Sequence, residues 1–159
     1  MAAGRLSQGR LIAGVAAVLL FILMFIPWFE IPGVEAQLPE EVTSSVDLSG
    51  TPGIESQSVN AWEAENPLDV YLLITILITL AGVALAATGR GGSATLMPLS
   101  AVTFLLGAIG TIQVLYQVFD VPGDLTRKVG LFLGLIAVAG IAVGGYLSMS
   151  EEGGAGERY

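Results

Sequence analysis

The chain has no cysteine and no histidine among its 159 residues, and only six Lys and Arg against fourteen Asp and Glu. Without cysteine it forms neither disulfides nor thiolate metal sites, so redox compartment is left open. Without histidine it lacks the commonest general base and metal ligand. A net charge of −8 argues against nucleic acid as a partner, because phosphate binding needs clustered Lys and Arg. Charge is also missing from four long stretches. Leu11 to Phe29, Val70 to Gly89, Gly91 to Phe119 and Val129 to Ser150 contain no Asp, Glu, Lys or Arg. That absence excludes an ordinary soluble bundle, whose helices keep a polar face. It also argues against ion-coupled transporters, proton pumps and voltage sensors, which carry ionisable groups inside the bilayer. No filter-like stretch suggests a channel.

What is present is apolar. Hydrophobic residues make up 53% of the chain and charged ones 13%, with a mean hydropathy of +0.77. Each uncharged run reaches the roughly 18–20 residues that cross a hydrocarbon core about 30 Å thick. The pattern predicts an all-α integral membrane protein of four antiparallel, up-down-up-down transmembrane helices. It forms a single membrane domain over 1–159, with spans at about 11–29, 67–88, 96–119 and 129–149. Val34-Glu35-Ala36 offers a small-residue cleavage site, but the preceding apolar core is longer than a signal peptide's and its leader weakly basic. The first run therefore reads as a retained span ending at Pro27-Trp28-Phe29. Arg5, Arg10, Arg90 and Arg158 fall on one side of such a bundle, against Arg127 and Lys128 on the other. The positive-inside rule then puts both termini in the cytoplasm of a multi-pass cell-membrane protein, with residues 30–66 extracytoplasmic. The glycine-rich, acidic tail 150–159 reads as disordered.

Glu30 to Asp69 carries nine acids and no Lys or Arg, and it is expected to form an outer cap over 30–66. Val42 to Leu48 alternates apolar and polar residues with the period of a strand. Ser49-Gly50-Thr51-Pro52-Gly53 is a turn cluster, and Ile54 to Val59 is a candidate returning strand. Asn60-Ala61-Trp62-Glu63 fits a capping box at the start of a short helix. Asn66-Pro67-Leu68-Asp69 repeats that logic for the second span. Trp62 is the expected anchor of the cap, packed near Trp28 and Tyr116. The acids lack the spacing of a calcium loop, so no metal site is expected.

Two sets of residues stand out within the spans. Gln113, Tyr116, Gln117 and Asp120 share one helical face near the outer end of the third span. They form an outward-opening polar pocket, a set of interhelical hydrogen bonds, or a face covered by the outer loop. Gly130 and Gly134, and later Gly140 and Gly144, form two pairs spaced four apart in the fourth span. Small residues at that spacing let backbones approach closely, either closing the bundle or pairing chains. No nucleophile with a neighbouring base occurs, so no catalytic residue and no cofactor is expected.

Pro27-Trp28-Phe29, an outer loop, and Asn60-Ala61-Trp62-Glu63-Ala64 before the second span resemble a family of small four-helix membrane proteins of actinobacteria. Leu115-Tyr116-Gln117-Val118-Phe119-Asp120-Val121-Pro122-Gly123 and Gly144-Gly145-Tyr146-Leu147 extend the resemblance over most of the chain. It implies a fold and no particular function. The loop plan is also similar in architecture to the claudin and peripheral-myelin group, without that group's Gly-Leu-Trp and paired cysteines. The expected function is non-catalytic: a structural, assembly or accessory subunit acting through Trp28, Asn60, Trp62, the polar face and the helix faces. Its partners would be the lipid bilayer and a membrane protein or a second copy. The alternative is a binding or carrier protein for an apolar or lipid-like molecule held between the helices.

Overall fold

The computed structural model describes residues 6–33, 56–64, 67–120 and 125–156. In chain order they form α1 (Gln8–Leu23), β1 (Pro27–Ile31), β2 (Gln57–Asn60), α2 (Pro67–Ala87), α3 (Ser93–Phe119), β3 (Thr126–Arg127) and α4 (Val129–Gly156), with a 3-10 turn at Trp62–Ala64.

The first helix starts earlier and stops sooner than 11–29. Ser7 caps it, its hydroxyl accepting from the Arg10 N–H at 3.3 Å. Tight bonds from Phe25 N to Ile22 O and from Ile26 N to Leu23 O, both 3.1 Å, close its end. Pro27 then has no N–H to continue the ladder and holds the residue before it extended. Pro27-Trp28-Phe29 therefore opens strand β1 and does not continue the helix. The second helix begins at Pro67, where a missing N–H costs nothing, with Asp69 in its first turn. Gly89, with φ of +65°, provides the left-handed residue that ends it. Of the tail 150–159 expected to be disordered, 150–156 are helical and 157–159 lie outside the described residues. α4 continues to Gly156, because Glu151 and Glu152 close back onto the start of α1.

The four helices pack in a ring, with α4 against α3 and α1 and with α2 against α1 and α3. Neighbours run in opposite directions: the start of α1 meets the end of α4, and Gly107 and Gly110 of α3 meet Ala142 and Val138 of α4. The α1–α4 and α3–α4 contacts are backbone-close. A Cβ built on Gly144 would lie 2.5 Å from the Ala13 nitrogen, and one on Gly107 or Gly145 would lie 2.6 Å from a backbone nitrogen of the facing helix. Leu20, Met24, Leu72, Ile76, Val114, Leu131, Val138 and Ile141 fill the interior. Large apolar side chains also cover the outside of every helix, among them Val15, Ile22, Leu77, Leu105, Ile112 and Ile136. Apolar surface on that scale is foreign to a water-facing monomer. Helices α2, α3 and α4 are long and apolar enough to cross a membrane, and α1 is a shorter apolar helix of 16 residues.

At one end of the ring lies a three-stranded antiparallel sheet of order β2-β1-β3. Phe29 pairs with Val59 and Arg127, and Glu30 with Ser58 and Thr126, with an irregularity at Trp28. This differs from a hairpin confined to the outer segment. The predicted returning strand pairs with β1, and the second inter-helix loop contributes β3. The predicted strand Val42 to Leu48 lies outside the described residues. Asn60 and Glu63 form the expected reciprocal box, each backbone N–H donating to the other's side chain, at 3.2 and 3.0 Å.

Candidate functional site

At the sheet end, α3 outlasts α2. Gly110 faces Tyr71, whose hydroxyl donates to the Leu106 carbonyl at 2.7 Å. Beyond that contact α2 has one more turn, back to Pro67, while α3 continues to Phe119. At 1.5 Å per residue, α3 overhangs by roughly 7 Å. The overhang leaves an open cleft of about 730 Å³ lined by Pro67, Leu68, Tyr71, Ile112, Gln113, Tyr116, Gln117 and Asp120. This is within the usual range for small-molecule sites, about 300–1,000 Å³.

The cleft gathers all four residues of the polar face. The Tyr116 hydroxyl donates to the Asp120 carboxylate, one turn on, and both side chains are exposed. Gln113 is exposed too, whereas Gln117 is only 9% exposed. Of the three outcomes considered for this face, interhelical hydrogen bonds are not made, since among the described residues neither glutamine side chain hydrogen-bonds to the protein, and cover by the outer loop falls on residues outside the described ones. Among the described residues no Lys or Arg lines the cleft. Arg127 instead donates to the Phe119 carbonyl at 3.2 Å.

The tryptophans exchange roles. Trp28 is 1% exposed, and its indole N–H donates to the Leu23 carbonyl at 2.8 Å. Its ring lies over Gly130 and Gly134, where added Cβ atoms would come within 2.7 and 2.5 Å of ring carbons. Those two glycines thus form a socket for an indole, not a helix–helix contact, while Gly140 and Gly144 face Ala16 and Ala13 of α1. Trp62 is half-buried against Phe25, ring centroids 6.0 Å apart, and packs on the edge of the core away from Tyr116's cleft. Asn60 is occupied in the capping box. Trp28 and Asn60 therefore shape the sheet end and present little to a partner.

Two charge pairs join α4 to the chain's first part. At the sheet end Lys128 pairs with Glu30. Hydrogen bonds from Lys128, then from Ser56, hold the Glu30 carboxyl below its ordinary value of 4.5. At the far end Arg10, 7% exposed, pairs with Glu152. The Ser100 hydroxyl lies 3.4 Å from the guanidinium and 3.2 Å from the Glu152 carboxylate, so three helices meet there. A cavity of about 20 Å³ adjoins this cluster, walled by Arg10 with Thr79, Ser100, Thr103 and Ser148. Most of these hydroxyls already donate to the carbonyl one turn back, as Thr79 does to Thr75 at 2.7 Å and Ser148 to Gly144 at 2.9 Å. Sequence reasoning missed this cluster. Its signal was the four-helix count itself, which brings Arg10 and Glu151-Glu152 to one end. Among the described residues no group of three or more acids gathers as a metal site would require.

Comparison with protein-family models, curated proteins and solved structures finds no match to this chain.

Proposed function

We propose that this is a non-catalytic, four-span membrane protein acting as a structural, assembly or accessory subunit through its outer end. Both termini and the α2–α3 turn lie in the cytoplasm, and the sheet faces outward with the acidic segment it holds. The observation that carries this reading is the use of the small-residue faces within the chain. Gly9, Gly107, Gly144 and Gly145 each face a backbone atom of a neighbouring helix closer than any Cβ allows. The packing that drives helix association in lipid is therefore largely satisfied inside one chain. What is left for a partner is the sheet end.

Helix α1 is short for a span, but it does not act alone. From Gly9 to Trp28 the chain runs beside α4 from Ser148 to Gly130, about 27 Å of helix at 1.5 Å per residue. That length approaches a hydrocarbon core, and Leu11, Val15, Val18, Ile22 and Phe25 are exposed along it. The test is purification from native membranes in mild detergent, with a photo-crosslinker at exposed Ser58. A stoichiometric protein partner crosslinked there supports the subunit reading, and recovery of uncrosslinked monomer alone removes it. Single cysteines at Ser58 and Gly92, labelled from outside intact cells, test the orientation. Labelling at 92 but not at 58 reverses it. The cleft favours a second reading, a binding protein for an apolar or lipid-like molecule.

A further inference from the structure

The cleft between α2 and α3 has a chemistry of its own. Gln117 is nine-tenths buried, lines the cleft and has no hydrogen-bond partner among the described residues. A carboxamide brings two N–H donors and a carbonyl acceptor, and those of Gln117 are accessible from the cleft, so a ligand there can meet them. Gln113, one turn earlier on the same face, adds a second unpartnered amide. The Tyr116–Asp120 pair adds a carboxylate, whose oxygens accept only. Leu68, Tyr71 and Ile112 complete the wall with apolar surface. Half the lining thus suits a polar head and half suits a chain. The two carboxamides offer donors and acceptors, the carboxylate accepts only and is negative, and among the described residues no cation lines the cleft to balance it. A phosphate or carboxylate head lacking its own cation would be repelled by Asp120 and find nothing to neutralise it.

We infer that this cleft binds one amphiphile whose head donates N–H or O–H hydrogen bonds and carries no net negative charge. Its head meets Gln113, Gln117 and Asp120, and its chain lies along Leu68, Tyr71 and Ile112. This rests on the second reading above and specifies its ligand. Two kinds of lipid share that chemistry, a primary-ammonium zwitterion and a neutral glycolipid.

The test uses the full chain in nanodiscs made from four lipids of identical acyl chains. They are phosphatidylethanolamine, a glucosyl diacylglycerol, phosphatidylcholine (no N–H or O–H donor) and phosphatidylglycerol (anionic). Native mass spectrometry counts lipids retained after release. Wild type should hold one molecule of the first two with roughly tenfold preference over the last two, the effect of one good hydrogen bond to a buried group. Whichever of the first two dominates distinguishes ammonium from glycosyl recognition. Gln117→Leu should remove that preference, and Asp120→Asn should admit phosphatidylglycerol. Thermal unfolding of each variant shows whether it is folded, and exposed Asp120 keeps the test available if Gln117→Leu is not. Preference for phosphatidylglycerol or phosphatidylcholine overturns the inference. Retention of one molecule of each of the four alike overturns the head chemistry while a lipid-binding role stands, and equal retention without fixed stoichiometry means annular lipid only and overturns both. Retention of none overturns both.

Discussion

Replacing Gly134 with alanine should destabilise the fold only because Trp28 is there. The new Cβ would lie 2.5 Å from Cζ2 and 2.7 Å from Cη2 of the indole. The ring must retreat by roughly 1 Å to regain ordinary contact distances. It has little room, being 1% exposed and held through its N–H on the Leu23 carbonyl. Overpacking of this kind costs about 1–3 kcal/mol, and losing the indole hydrogen bond adds about 1 kcal/mol. Alanine returns about 1 kcal/mol of helix propensity, so the net loss is about 1–3 kcal/mol. Trp28→Ala alone should cost about 3–5 kcal/mol. In the double variant the clash is gone, so Gly134→Ala becomes neutral or stabilising, and the pair should couple by about 2–3 kcal/mol. Gly153→Ala is the control, since no atom lies within 4 Å of its added Cβ. Unfolding in detergent, followed by far-ultraviolet circular dichroism, reads all four. If Gly134→Ala is as mild as Gly153→Ala, or if the two effects simply add, the socket does not exist in solution.

Three further outcomes follow from the same geometry. Glu152→Ala should cost about 3–5 kcal/mol because it leaves the buried Arg10 charge unpaired, whereas joint replacement of Arg10 and Glu152 by methionine should come close to neutral in the same unfolding assay. Glu30 has a lowered folded-state pKa, so the stability it contributes is fully present above about 4.5 and lost as pH falls through the lowered folded-state value; Lys128→Met should reduce this difference between pH 6 and pH 3 relative to wild type, leaving only the part due to Ser56. Gly144→Ala, with a backbone nitrogen 2.5 Å from its added Cβ, should destabilise more than Gly140→Ala, which meets only the Ala16 methyl at 3.0 Å; equal melting temperatures would mean that α1 and α4 are not in backbone contact.

How much of this was legible depended on range. Four uncharged runs, the box at Asn60 and Glu63, and the start of α2 at Pro67 are local signals, and each has its counterpart here. So is the shared face of Gln113, Tyr116, Gln117 and Asp120, because helical spacing alone brings those residues together. What the local pattern could not give was partnership. Gly130-x-x-x-Gly134 reads like a helix–helix contact, yet the object filling it is an indole from a strand about a hundred residues earlier. Pro27 signalled that a helix must stop, but whether the chain then runs as loop or strand depends on β2 and β3. The acidic tail looked disordered by composition because its ordering contact is Arg10, at the far end of the sequence.

The two charge pairs and the Trp28 socket all join the chain's first thirty-one residues to α4, and neither pair reaches α2. Charge closes the α1–β1 and α4 unit at both ends, through Arg10 with Glu152 and Glu30 with Lys128, while glycine-mediated backbone contact closes it along the middle. Helix α3 joins that unit through Gly107 and Gly145. Helix α2 is held differently, by side chains that interlock with Gly14, Leu99 and Gly110 and by the Tyr71 hydroxyl. A helix packed through side chains has room to shift without separating backbones, and local openings begin where such contacts are fewest. The cleft lies at the start of that same helix, where Pro67, Leu68 and Tyr71 face the last turns of α3. The sheet and the cleft thus share one end of the ring, the sheet built against α4 and the cleft between α2 and α3.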